Sequence, residues 1–218
     1  MPLKDGRACI VGITGGTGAG KTTALKALES SGVLGLDCDA IYHELLSSNE
    51  DMISEIAGCF PDAAAGDRID RKKLGEIVFG DRSALEALNR VTHKYVDGEV
   101  RRRIADWEAV GGAAAAIDAV ALIESGIDKR CDVVIGLTAP APTRISRIMA
   151  RDGITREKAE ARIKAQQPDS FYEENCDMVI RGEGATAEEL GRICMEAVSR
   201  LLRERGFDAG QWTGRPGD

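Results

Sequence analysis

The sequence predicts an α/β protein built as a three-layer parallel sheet, with a helical insertion between its first strands and its later ones. Three observations carry this. Ala8 to Thr14 (ACIVGIT) is a short apolar run that opens into glycines, the pattern of a buried strand. Lys21 to Ser30 follows with Leu25 and Leu28 on one face and Gly32 as a stop, so it reads as a helix. Ala113 to Leu122 and Asp132 to Leu137 are apolar runs without polar alternation, as strands covered on both faces must be. A strand, a glycine loop and a helix in that order open a parallel sheet.

The remaining elements follow along the chain. Val33 to Leu36 reads as a second short strand and Ala40 to Leu46 as a second helix. From 47 to 112 the periodicity is helical throughout: Met52, Ile53 and Ile56, then Leu74, Ile77 and Val78, then Leu85, Leu88 and Val91. No strand-like run interrupts it, so this stretch is expected to be an all-helical insertion over the sheet. Arg101, Arg102 and Arg103 lie within it, and such a run is usually a solvated helix face. After the two later strands comes a basic helical hairpin, Pro142 to Gln167, turning at Asp152-Gly153. Asp177 to Ile180 can form a last strand. Thr186 then opens the final helix as N-cap, with Glu189 completing a capping box. Leu190, Ile193, Cys194, Ala197, Val198, Leu201 and Leu202 keep one apolar stripe along that helix. The expected domains are a core of 1–46 and 113–205, an insertion of 47–112, a hairpin of 142–167 within the core, and a flexible polar tail of 206–218.

Composition excludes several classes. The 218 residues suffice for one domain with insertions. Aromatics make up only 4%, so the core must come from Ala, Val, Ile and Leu. A formal charge of −7 argues against a general nucleic-acid or anionic-membrane binder, which needs excess Lys and Arg. The six cysteines form no CxxC pair, and with only His43 and His93 beside them a zinc site is not expected. Reduced thiols in a cytoplasmic protein fit this usage. The segment before Gly12 carries Lys4, Asp5 and Arg7 and has no signal-peptide apolar region. Ala109 to Ile123 is broken by Asp118 and glycines, so no membrane span is expected.

Function enters with the glycine loop. Gly15-Gly16-Thr17-Gly18-Ala19-Gly20-Lys21-Thr22 matches GxxxxGK[ST] in full, after a strand and before a helix. Glycines let backbone N–H groups converge on phosphate oxygens, and the helix adds its positive N-terminal end. Lys21 would reach the β- and γ-phosphates of ATP, and the Thr22 hydroxyl would bind Mg²⁺, with Thr23 beside it. The expected activity is ATP-dependent phosphotransfer. A switch GTPase should carry DxxG and NKxD, and a transport ATPase an LSGGQ-like signature; none occurs. A small kinase needs instead an acceptor site with a base and a mobile basic lid. Asp37 and Asp39, at the end of the second strand, stand where ligands bind in open α/β sheets. Either could take the proton of an attacking hydroxyl or orient Mg²⁺, and either could merely cap the next helix. Asp118 could position a metal or water, or hold loop amides. Arg144, Arg147, Arg151, Arg156, Lys158, Arg162 and Lys164 stud the hairpin, with Arg147 and Arg151 the leading candidates for contact with nucleotide phosphates.

Together these pieces resemble the dephospho-coenzyme A kinase family, from about Cys9 to Leu201. The matching segments are VGITGGTGAGKTT, LDCDAIYHELL, IDRKKLGEIVF, a helix ending in His93, IDAVALIESG, RIMARDGITREKAEARIKAQ and CDMVI. The resemblance implies the fold of phosphate-loop kinases and transfer of the ATP γ-phosphate to the ribose 3′-hydroxyl of dephospho-coenzyme A. It implies Asp39 as catalytic base, the insertion as the domain that embraces the acceptor, and the hairpin as a lid over ATP. A monomer or weak homo-oligomer is expected. A kinase for a nucleoside or nucleotide, and a nucleotide-binding regulator with little turnover, are the alternatives. Three positions depart from the family's habit: Val120 and Lys94 stand where proline is usual, and Arg181-Gly182 where an asparagine is common. The last leaves adenine-side contacts unassigned. His43 and His93 are weaker candidates for the site.

Overall fold

The computed structural model describes residues 7–207. It divides into two compact units: residues up to Leu36 together with those from Ile104 onward, and Asp37–Arg103. Most of the tail expected at 206–218 lies outside the described residues.

The first unit is the sheet. Its elements are β1 (Cys9–Gly15), α1 (Lys21–Glu29) and β2 (Leu34–Asp37), and later β5 (Ala114–Asp118) and β6 (Val133–Thr138). The strands β3 (Ala64–Ala65) and β4 (Arg68–Ile69) belong to the other unit. Then come α6 (Ala141–Asp152), α7 (Arg156–Lys164), α8 (Asp169–Asn175), β7 (Met178–Arg181) and α9 (Ala187–Glu204). The strand order is β2-β5-β1-β6-β7, with β1 parallel to both β5 and β6, and β6 parallel to β7. This is the predicted α/β architecture, a central parallel sheet with flanking helices.

Alternation along the strands sorts the core. Cys9, Val11 and Ile13 of β1, with Ala114 and Ala116 of β5 and Ile135 and Leu137 of β6, pack against α1 and α9. On the opposite face a Cβ at Gly12 would crowd Leu122 and Cys131, and one at Gly136 would crowd Tyr172 and Cys176. Alanine at alternate β5 positions lets α1 approach closely. Each fully buried Leu, Ile or Val contributes about 1.5–3 kcal/mol, so an aliphatic core suffices. Tyr172 is the one aromatic among the largest fully buried side chains of the described residues. Burial pushes its hydroxyl up to about 12. Burial likewise raises the Cys9, Cys176 and Cys194 thiols to about 12, so none serves as a thiolate nucleophile. At the other end of the sheet, Asp132 accepts from the Ile10 N–H at 2.8 Å and pairs with Arg7.

The final helix follows the sequence closely. Thr186 and Glu189 form the capping box, and the apolar stripe is buried except for Ile193 at its margin. Two readings are corrected. The strand expected over 113–122 ends at Asp118: the Ala119 N–H makes the last ladder bond, to the Ile13 carbonyl, and the chain then turns over 120–126, where the Thr14 hydroxyl donates to the Val120 carbonyl and the Ser125 N–H to the Ala121 carbonyl. A seven-residue helix, α8, also stands where none was predicted; it is too short for periodicity to show.

The second unit holds α2 (Cys38–Ser48), α3 (Glu50–Cys59), β3 (Ala64–Ala65), β4 (Arg68–Ile69), α4 (Arg71–Gly80) and most of α5 (Arg82–Ala109). It is not all helical as expected. β3 and β4 pair antiparallel around Gly66, whose φ of 66° closes the turn. Two residues per strand leave no alternation to read. The three arginines on α5 do form a charged face: Arg101 pairs with Asp97, and Arg102 and Arg103 both pair with Glu99. Hydrogen bonding from Arg102 first, and then from Arg103, holds Glu99 down to about 2 from its usual 4.5, against the opposing effect of burial. A carboxylate with a depressed pKa stabilises the fold above its unfolded pKa and loses that contribution as pH falls through the folded one. Glu99→Gln should therefore lower the melting temperature most above pH 4.5. The gap to wild type should close as pH approaches 2. A gap that stays constant over this range would contradict the assignment.

Candidate active site

Five residues separate β1 from α1, and the loop they form has to reverse direction tightly. Gly15 has φ of 137°, and a Cβ there would fall on the Leu137 carbonyl oxygen. Gly20 is the N-cap of α1 with φ of 115°, a conformation that costs a side-chain-bearing residue dearly. The loop closes on itself through the Ala19 N–H to the Gly16 carbonyl, 3.1 Å. The first turn of α1 begins at Lys21, so Thr22 and Thr23 follow at the positive end of the helix.

The sheet order brings β5 beside β1, with Ile13 opposite Asp118. Asp118 is therefore carried to the carboxyl end of the sheet next to the loop. Its Oδ1 lies 3.9 Å from Lys21 Nζ, an ion pair longer than a hydrogen bond, and both side chains are largely withdrawn from solvent. Lys21 thus has an anionic neighbour within ion-pair distance.

A cavity of about 270 Å³ opens over the loop. One wall is Gly18, Gly20, Lys21, Thr22 and Thr23; a second is Arg147 and Arg151; a third is Ala185, Thr186, Ala187 and Leu190. The structure thus gathers Gly18, Gly20, Lys21, Thr22 and Thr23 of the predicted loop residues and both leading arginines around one space, whereas Gly16, Thr17 and Ala19 do not line it. Arg147 also donates to the Gly18 carbonyl at 3.0 Å, tying α6 to the loop. Arg151 pairs with Asp152, which Arg162 also contacts, and these two arginines draw the Asp152 carboxyl below its usual range. The third wall was missed in the sequence. It follows β7 and starts α9, where the only motif was a capping box, and small or apolar wall residues carry no chemical signature.

α6 and α7 form the expected basic hairpin. Gly153, at φ of 63°, ends α6 and returns its N–H to the Met149 carbonyl. Ile145, Ile148 and Ala159, with Ile154 and Ile163, give the hairpin a small core of its own.

A family model for dephospho-CoA kinase matches residues 9–188. The chain belongs to the dephospho-CoA kinase family. A dephospho-CoA kinase of Thermobifida fusca is 34% identical over 195 residues, 88% of this chain and 96% of that protein. One from Dehalococcoides mccartyi is 38% identical over 197 residues, again 88% and 96% of the two chains. Among solved structures, TT1252 from Thermus thermophilus matches with a TM-score of 0.76 at 31% identity, over 90% of this chain and 98% of that one. The phosphate-loop kinase fold, nucleotide binding and kinase chemistry accordingly stand at the level of the dephospho-CoA kinase family.

Other residues singled out in the sequence lie in the second unit of this dephospho-CoA kinase family member. Asp37 is the N-cap of α2, its Oδ1 accepting from the Asp39 and Ala40 N–H groups at 2.9 and 3.1 Å. Asp39 is exposed in the first helical turn, and its carboxylate accepts no hydrogen bond from a described residue. The two carboxylates so differ in occupation: one is spent on the helix and the other is available. Arg71 NH2 stands 3.0 Å from His43 Nδ1 and 3.3 Å from Nε2. Burial and then the Arg71 charge lower the His43 pKa, with Asp39 and Asp37 pulling the other way. His93 lies half-buried in α5.

The donors suit Mg²⁺. The Thr22 hydroxyl and the Asp118 carboxylate are hard oxygen donors, the kind that Mg²⁺ accepts beside phosphate oxygens and water.

Proposed function

We propose that this protein transfers the γ-phosphate of ATP to the ribose 3′-hydroxyl of dephospho-coenzyme A, giving coenzyme A and ADP. The observation that supports this reading most is the cavity that gathers Lys21, Thr22 and two hairpin arginines, in a chain of this family. Lys21 neutralises charge on the β- and γ-phosphates, and Arg147 and Arg151 do so from the hairpin side. Bound Mg²⁺, held through Thr22 and oriented by Asp118 or Asp39, would supply further charge neutralisation at the phosphates. Asp39 accepts or orients the proton of the acceptor hydroxyl. Residues 47–112 serve as the acceptor-binding insertion and 142–167 as the lid. The enzyme works in the cytoplasm. Positioning and electrostatics provide most of the acceleration, since phosphoryl transfer asks little of a base.

A coupled ADP-release assay with dephospho-coenzyme A and a panel of nucleosides and nucleotides tests the acceptor. Turnover should require dephospho-coenzyme A. Faster turnover with a nucleoside would overturn the acceptor, and substrate-independent or absent turnover would favour a nucleotide-binding regulator.

A further inference from the structure

The pattern GxxxxGK[ST] leaves positions 16 and 18 open, yet this loop has glycine at both. A Cβ on Gly16 would fall on the Arg144 guanidinium. Gly18 has φ of 79°, which itself favours glycine, and a Cβ there would stand 2.9 Å from the Arg144 carbonyl oxygen. The loop thus packs closely on one residue of α6, with Gly16 against its side chain and Gly18 against its backbone.

Arg144 is only 6% exposed. Its Nε donates to the Thr17 carbonyl at 2.9 Å and its NH2 to Gln166 Oε1 at 2.5 Å. Gln166, just beyond α7, accepts from the Thr17 N–H at 3.0 Å and donates to the Thr17 hydroxyl at 2.7 Å. Carbonyl, amide and hydroxyl of Thr17 are therefore all taken by two side chains rooted at the base of the hairpin. Among the described residues no carboxylate forms an ion pair with Arg144. Burial lowers its pKa, and Tyr172 and Asp169 offset part of that effect. A guanidinium nevertheless keeps its proton, so a cation stays buried behind the phosphate loop. A buried cation with no carboxylate paired to it is costly even when hydrogen-bonded, and an apolar residue of similar volume would fill the same space at less expense. A polyphosphate at the loop would supply the opposite charge.

We propose that Arg144 and Gln166 are positioning residues for the nucleotide. They clamp Thr17 so that the loop and the root of the hairpin hold one geometry, and the Arg144 charge strengthens the grip on polyphosphate without touching it. The proposal rests on the nucleotide-binding reading of the loop.

Calorimetric titration of Mg·ATP, steady-state kinetics and melting curves test it on the full chain. Arg144→Met should weaken ATP binding at least tenfold while the KM for the acceptor stays within twofold. Arg144→Lys should recover part of the loss. Gln166→Glu keeps an acceptor for both N–H groups but neutralises the cation, so it should weaken ATP binding without lowering the melting temperature. That variant decides the matter if Arg144→Met does not fold. Variants that fold and bind Mg·ATP within twofold of wild type would overturn the latch alone. Parallel losses of ATP affinity, acceptor affinity and melting temperature would also overturn it, since they describe packing. Wild-type protein that takes up no Mg·ATP would overturn the nucleotide reading and the latch with it.

Discussion

Lys21→Ala should lower turnover by roughly 10²–10³-fold, the usual cost of removing one preorganised group that meets developing charge. It should also weaken ATP binding by about one to two orders of magnitude, because a charge-assisted hydrogen bond contributes roughly 1.5–3 kcal/mol. Both losses have one physical origin. The ammonium is carried by the first residue of α1, its side chain is held near the Asp118 carboxylate, and it lines the cavity with Thr22. Removing it leaves the loop amides and the two hairpin arginines without the ammonium of α1. Steady-state kinetics and binding measured on the same preparation check this. Unchanged nucleotide affinity would remove Lys21 from the site.

Asp39→Asn should behave differently. A general base contributes about 10²–10⁴-fold, so turnover should fall by that order while ATP affinity stays within about threefold. The contrast with Asp37 makes the expectation specific. Asp37 already accepts two backbone hydrogen bonds as an N-cap, so its replacement should act through stability, whereas the Asp39 carboxylate is uncommitted among the described residues. Turnover near wild type in Asp39→Asn would sink the base assignment.

The sequence made the sheet and the loop legible because each had a dense local signal. Seven apolar or small residues before GGTGAGKT define β1, and the glycines stand where left-handed backbone and close approach demand them. Helix ends were legible where caps were present, as at Thr186 and Gly153. Features that depend on distant partners were not. β3 and β4 exist only as a pair, and two residues apiece cannot show a period. Leu85 fits the helical pattern yet is 42% exposed, because a pattern records spacing and not which neighbour lies opposite. The same limit governs the site. Arg147 and Arg151 line the cavity, while Arg144, equally basic in the sequence, is the buried one that holds Thr17. Burial of one arginine among seven basic residues is decided by which of them faces the loop, and only the fold shows it. Gly16 did carry a trace of it, as a glycine in a position the motif does not require.

All of these roles depend on anion capture at the amino end of α1. Isothermal titration of Mg·ATP into the folded wild-type protein measures that capture directly. Saturable one-to-one binding that is lost in Lys21→Ala is the predicted result. A folded protein that releases no heat of binding and shows no thermal stabilisation by Mg·ATP would contradict it.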